Sequence, residues 1–242
     1  MTESYDQIGP IKLVQSASGV KASIDGLLLA RFLRPSPDWY VADLGCGNGF
    51  VGLLLARENP FCRIVGIEIQ EGLVRQAAEN ARINGLANAR FVRADLKNYP
   101  WPEELDRFDL VVANPPYRKV GTGRVSPDPE RAAARHELHG EVGDFARAAA
   151  ALLRDGGAST WIYLARRFDD LTEAVESAGM EPFRTRFVVS REGEEPSLVL
   201  LEAIKGGGVG MAFTEEPLVL YREGSGRDYT EEARGILYGG NA

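Results

Sequence analysis

From residue 39 onward, short runs of β-branched and apolar residues alternate with longer stretches whose apolar positions recur every three to four residues. The short runs read as buried strands and the longer stretches as helices with one apolar stripe. Their alternation is the pattern of βαβ units around a mostly parallel sheet. It predicts strands near Tyr40–Leu44, Arg63–Ile69, Arg90–Ala94, Phe108–Ala113, Ala158–Leu164, Phe183–Val189 and Leu198–Ile204. Helices are expected near Val51–Glu58, Glu71–Asn84, Val142–Arg154 and Asp169–Ala178. Only a polar turn, Arg191 to Pro196, separates the last two strands, far too short for a parallel crossover, so these two must pair antiparallel. The expected fold class is α/β: a seven-stranded, mostly parallel sheet with one antiparallel strand and helices on both faces.

The 242 residues are 44% hydrophobic and 26% charged, enough for one large core, and a single domain spanning 1–242 is expected. Within it, residues 1–38, with the apolar helical stretch Ile24–Phe32, read as a cover over the ligand-binding side. Residues 39–205 form the core, and Gly206 to Gly208 mark a flexible break before an extension at 206–242. No apolar run approaches the roughly 20 residues needed to span a bilayer, and MTESYDQIGP is too acidic for a secretory signal, so a cytoplasmic protein with no membrane partner is expected. Cys46 and Cys62 lie in apolar surroundings without Cys-x-x-Cys or clustered His partners, which suggests neither disulfide nor metal site.

Net charge is −7, which argues against a protein that coats nucleic acid over its whole surface. A local basic segment is nevertheless present. Between Arg118 and Arg135, five basic residues (Arg118, Lys119, Arg124, Arg131, Arg135) face only Asp128 and Glu130.

The candidate chemistry sits at strand ends. VADLGCGNGF places Gly45, Gly47 and Gly49 between the first strand and its helix, where residues without Cβ let the backbone turn sharply and approach a ligand. Asp43 precedes the loop. Glu68 closes the second strand, where a carboxylate can accept both hydroxyls of a ribose, and Asp95 ends the third, where it could meet an adenine amine. Any one acid could be a helix cap or a solvated strand end. Three at consecutive strand ends beside a glycine loop point to a nucleoside-bearing cofactor, and the absence of Gly-Lys-Ser/Thr disfavours phosphate cradling.

The fourth strand runs into VANPPYRKVG, where two prolines forbid its continuation. An amine conjugated to a ring or carbonyl is a poor nucleophile because its lone pair is delocalised. The Asn114 side-chain oxygen and the Pro115 carbonyl could accept its two N–H bonds, favouring a pyramidal nitrogen, while Pro115 and Pro116 hold these acceptors rigid. Tyr117 could stack on a planar substrate, worth about 1–3 kcal/mol for a base.

These residues carry a resemblance. The chain resembles class I S-adenosylmethionine (SAM) dependent N-methyltransferases with an Asn-Pro-Pro-Tyr motif, and within them the bacterial tRNA (adenine-N6) methyltransferases that modify valine tRNA beside the anticodon. The resemblance covers the GVKASIDGLLL stretch at 19–29, with its Asp25-Gly26, and DLGCGNG at 43–49. It continues through NPPY, Ala134-Arg135-His136-Glu137 and the tail AFTEEPLVLYREGSGRDYTEEARGILYG. It implies a Rossmann-like fold, SAM held by Asp43, Gly45, Gly47, Gly49, Glu68, Asp95 and Asn114, and catalysis by Asn114, Pro115, Pro116 and Tyr117. It further implies tRNA as partner, contacted by Arg118, Lys119, Arg124, Arg135 and His136.

The motif also suits a protein glutamine amide in a release factor or ribosomal protein, although residues 1–38 leave little room for the helical recognition domain such an enzyme would need. A guanine amine in rRNA is a weaker variant, and DNA adenine lacks an evident target-recognition domain. A SAM-binding module without catalysis would have no need of the intact Asn-Pro-Pro-Tyr. His136 and His139 read as a surface or RNA-facing pair, Trp101, Trp161, Phe145 and Tyr163 as packing, and Asp228 with Tyr229 as ties between tail and sheet.

Overall fold

The structure is a computed structural model that describes residues 5–14, 22–32, 35–98, 105, 107–117, 141–207, 210–224 and 226–238. An antiparallel hairpin comes first, β1 (Tyr5–Ile8) and β2 (Ile11–Val14), followed by α1 (Ile24–Phe32). The repeating part follows as β3 (Tyr40–Leu44), α2 (Phe50–Glu58), β4 (Arg63–Glu68), α3 (Glu71–Asn84), β5 (Ala89–Arg93) and β6 (Phe108–Ala113). Then come α4 (Val142–Leu152), β7 (Leu153–Leu164), α5 (Phe168–Ser177), β8 (Met180–Val189) and β9 (Leu198–Lys205). The tail adds β10 (Phe213–Thr214), β11 (Leu218–Val219) and α6 (Glu231–Tyr238).

The main sheet runs β5-β4-β3-β6-β7-β9-β8, with β10 and β11 both on the outer edge of β8. Only β9 is antiparallel to its neighbours, and it forms the hairpin with β8 that the short turn demanded. Strand residues alternate between two cores, as a period of two requires. Val41, Leu110, Val112, Ile162 and Leu200 face α1, α2 and α6, whereas Leu44, Val111, Ala113, Trp161 and Leu201 face α4 and α5.

The expected count of seven strands is corrected to nine among the described residues. The extension is therefore no appendage. β10 and β11 pair parallel with Arg184–Thr185 and Val188–Val189, continuing the sheet beyond its predicted edge. The helix expected to end at Arg154 stops at Leu152 because Leu153 already pairs with Phe108. A register shift between Phe108 and Leu110 then lets the Asp155-Gly156-Gly157 corner pass before Ala158 resumes the ladder.

The N-terminal cover is tied down side by side. Asn80 and Asn84 of α3 act as a surrogate strand for β2: Asn80 Oδ1 accepts from Val14 N at 2.7 Å, and Asn84 Oδ1 from Lys12 N at 2.9 Å while its amide donates to Lys12 O at 2.6 Å. Helix α1 is held from behind by the tail, with Arg31 donating to the Ile236 carbonyl at 2.5 Å and pairing with Glu58.

Gly66 in β4 is where the sheet and the glycine loop nearly touch. A Cβ there would collide with the Phe91 ring and stand 2.8 Å from Cys46 Sγ. Gly66→Ala should destabilise the protein by about 1–3 kcal/mol, an overpacking penalty read as a lower thermal midpoint.

Candidate active site

The glycine loop follows β3 at the centre of the sheet. Gly45, Gly47 and Gly49 have φ of 64°, 57° and 85°, the left-handed region that side chains rarely adopt. A Cβ at Gly45 would press on the Phe145 ring at 3.0 Å, and one at Gly49 would press on Ala77 and Phe91 at 2.9 Å. The loop is anchored to β4 by Gly45 N and Cys46 N, which donate to the Ile67 carbonyl at 2.8 and 3.2 Å.

Two carboxylates brace this loop from inside. Glu68 accepts from Gly47 N at 3.1 Å with one oxygen and from Gln70 N at 3.0 Å with the other. Each oxygen keeps a second lone-pair direction for a ligand hydroxyl. Asp43 is 3% exposed and accepts from Gly52 N at 2.9 Å, fixing the first turn of α2. Burial, with Glu68 nearby adding to it, pushes the Asp43 carboxyl up to about 7. Asp95 stands at the end of β5, where it accepts from Lys97 N at 2.9 Å and from the Asn98 amide at 2.8 Å and so caps a turn.

The NPPY loop leaves β6, which pairs directly with β3 through Leu44 and Ala113. Asn114 therefore emerges beside Gly45. The Tyr117 hydroxyl lies 2.5 Å from Asn114 Oδ1 and 3.1 Å from Asp25 Oδ2, while the guanidinium of Arg167 donates to the Tyr117 carbonyl at 3.1 Å. The Tyr117 ring stands edge-on to Tyr163 at 5.7 Å. Burial raises the Asp25 carboxyl, although the bond to Tyr117 counteracts it, and burial raises the Tyr117 phenol well above its ordinary range. Asp25 reaches the loop because its neighbour Gly26 lets α1 lie close on α2, where a Cβ would stand 3.0 Å from Phe50.

Among the sequence-predicted residues, Asp43, Gly45, Gly47, Gly49, Glu68, Asp95, Asn114, Pro115, Pro116 and Tyr117 gather along the C-terminal edges of β3, β4, β5 and β6. Arg118, Lys119, Arg124, Arg135 and His136 lie outside the described residues, as do Trp101 and His139. Trp161 and Tyr163 are fully buried, and Phe145 packs under Gly45. Asp228 and Tyr229 belong to the tail's closure, with Arg222 N donating to the Asp228 carbonyl and Tyr221 bridging Tyr229. Sequence reasoning gave Arg167 no role and Asp25 only a place in a motif. No local signal marks either contact.

A methyltransferase-domain family model matches residues 36–145. The match takes in the glycine loop, the strand-end acids and NPPY. A tRNA1(Val) (adenine(37)-N6)-methyltransferase of Aeromonas hydrophila is 29% identical over 189 residues, 77% of this chain and 78% of that protein. A 4-amino-L-phenylalanine/4-methylamino-L-phenylalanine methyltransferase of Streptomyces pristinaespiralis is 39% identical over 123 residues, 48% of this chain and 41% of that one. Among solved structures, a predicted O-methyltransferase from Agrobacterium tumefaciens superposes with a TM-score of 0.71 at 22% identity, covering 88% of this chain and 94% of that one.

The cofactor of this methyltransferase is SAM, and the residues present fit it. Three left-handed glycines turn the loop sharply, two of them packed too closely on Phe145, Ala77 and Phe91 to carry a side chain, and the Glu68 carboxylate beside Gly47 N has acceptor capacity left for a ribose hydroxyl. Among the described residues, no helix is long and apolar enough to cross a membrane.

Unfolding lets the protonated Asp43 of the native methyltransferase ionise, so its contribution to stability is full below pH 4, falls as pH rises to about 7, and is flat above. Asp43→Asn, which still accepts from Gly52 N, removes that loss. Its stability relative to the wild type should therefore increase from pH 4 to 7, by about 1–4 kcal/mol in total, as read from thermal or urea denaturation without cofactor.

Proposed function

We propose that this methyltransferase moves the methyl group of SAM to the exocyclic N6 amine of an adenosine in tRNA, in the anticodon loop of a valine tRNA, in the cytoplasm. The observation that carries the reading is the position of Asn114 at the head of a proline-stiffened loop, one strand from the glycine cradle. Relatives named for adenine-37 methylation of the same tRNA, matched over most of both chains, support the choice of substrate. The phenylalanine-type relative is named for an amino group on an aromatic ring, again an amine conjugated with a planar π system.

In this reading Gly45, Gly47 and Gly49 let the backbone close on the cofactor, and Glu68 accepts ribose hydroxyls. Asp95 lies toward the adenine. SAM would supply an electrophilic methyl on a sulfonium, its carbon–sulfur bond breaking to leave the neutral thioether as the nitrogen–carbon bond forms, with the nitrogen's extra proton lost to water. Asn114 Oδ1 and the Pro115 carbonyl accept the amine's two N–H bonds and turn its lone pair toward that methyl, stabilising positive charge as it develops on nitrogen. Pro115 and Pro116 fix φ, so the acceptors need no reorganisation during the reaction. Tyr117 holds the base by its ring. The basic residues Arg118, Lys119, Arg124 and Arg135, with His136, contact phosphates, and an anticodon-loop base can be splayed out at modest energetic cost.

Incubation with labelled SAM and tRNA from a strain lacking the enzyme should place label in N6-methyladenosine of valine tRNA. Label in a protein glutamine, or none in RNA, would overturn the reading. Asn114→Ala should cut methyl transfer by about 100-fold or more at saturating SAM, measured by single-turnover kinetics.

A further inference from the structure

We infer that Asp25 is a positioning residue for the amine: it is the alternative acceptor that takes the Tyr117 hydroxyl proton when the substrate claims Asn114 Oδ1. The inference rests on the function proposed above. It begins from a conflict in the resting site. Tyr117 has one phenolic proton and two acceptors, Asn114 Oδ1 at 2.5 Å and Asp25 Oδ2 at 3.1 Å. The shorter distance is the one to Asn114 Oδ1. There the phenol fills one of the two lone pairs of the carboxamide oxygen and an N–H of the substrate must take the other, so two donors share and weaken one acceptor.

The incoming amine is therefore held more tightly when the phenol proton turns away from Asn114. Without a second acceptor, the displaced O–H would be left unsatisfied in a partly buried site, which costs about 1–3 kcal/mol. Asp25 removes that penalty. Its carboxylate accepts the same hydrogen once the hydroxyl rotates about the C–O bond, and the ring need not move. The ring stays where Tyr163 and the Arg167 contact to the Tyr117 carbonyl hold it. Asp25 comes from a helix 92 residues away, and Gly26 beside it lets that helix pack closely on Phe50.

The test compares Asp25→Ala, Tyr117→Phe and the double variant on unmodified tRNA. Asp25→Ala should lower kcat about tenfold because the phenol proton then has no other acceptor and competes with the amine. SAM affinity should stay at the wild-type value, showing that the fold is kept. Tyr117→Phe removes the competing proton but keeps the stacking ring, so whatever its own kcat, adding Asp25→Ala to it should cost nothing and the double variant should match Tyr117→Phe alone. A purely structural Asp25 predicts the same loss, about tenfold, in both backgrounds. A double variant about tenfold slower than Tyr117→Phe, or an Asp25→Ala enzyme with wild-type kcat, overturns this inference and leaves the proposed reaction standing. A wild-type protein inactive on unmodified tRNA overturns both.

Discussion

The parallel pairing of β3 with β6 is the constraint on which the site depends. Chain order reverses across this pair: β4 and β5 extend the sheet on one side, β6 and β7 on the other. The loops leaving β3 and β6 diverge to opposite faces and open a crevice between them, the usual ligand position in open α/β sheets. The pairing of Leu44 with Ala113 sets the glycine cradle and Asn114 at the same height. A one-residue slip would turn Asn114 to the wrong face.

Around that crevice the protein places buried charge sparingly and gives each group a backbone partner. Asp43 holds the start of α2, Glu68 holds Gly47, and Asp95 holds its own turn. The acids thus shape the loops that would meet the cofactor before any of them touches it. The glycine loop and Glu68 form one device: the left-handed turn at Gly47 presents an amide hydrogen, and the carboxylate accepts it.

Most of the sheet was legible because its strands are buried on both faces and read as unbroken apolar runs bounded by polar turns. The hairpin of β8 and β9 followed from loop length alone. The edge was not legible, because β10 and β11 are two residues each, too short to leave a periodicity, and depend on β8 being there to pair with. The end of α4 was misjudged because Leu153 extends its apolar stripe and nothing local reveals the pairing with Phe108. In the site, residues at strand ends could be read from their motifs, whereas Asp25 and Arg167 meet Tyr117 only through tertiary packing. The asparagines of α3 illustrate the same limit, since Asn80 and Asn84 look like ordinary helix residues until β2 lies beside them.

The clasp on α1 has a consequence for how the chain comes to life. Helix α1 carries Asp25 near its start. Its far end is gripped by Arg31 bound to Ile236 and by Arg184 of β8, which donates to the Phe32 carbonyl at 3.1 Å. Arg31 and Phe32 are thus secured by residues 205 and 152 positions further along, a connection of very high sequence separation. The strands that carry the glycine loop and NPPY can pair before that clasp closes, while Tyr117 still lacks its partner from α1. Docking of Ile236, rather than completion of the central sheet, then marks the moment at which Asp25 is held in place.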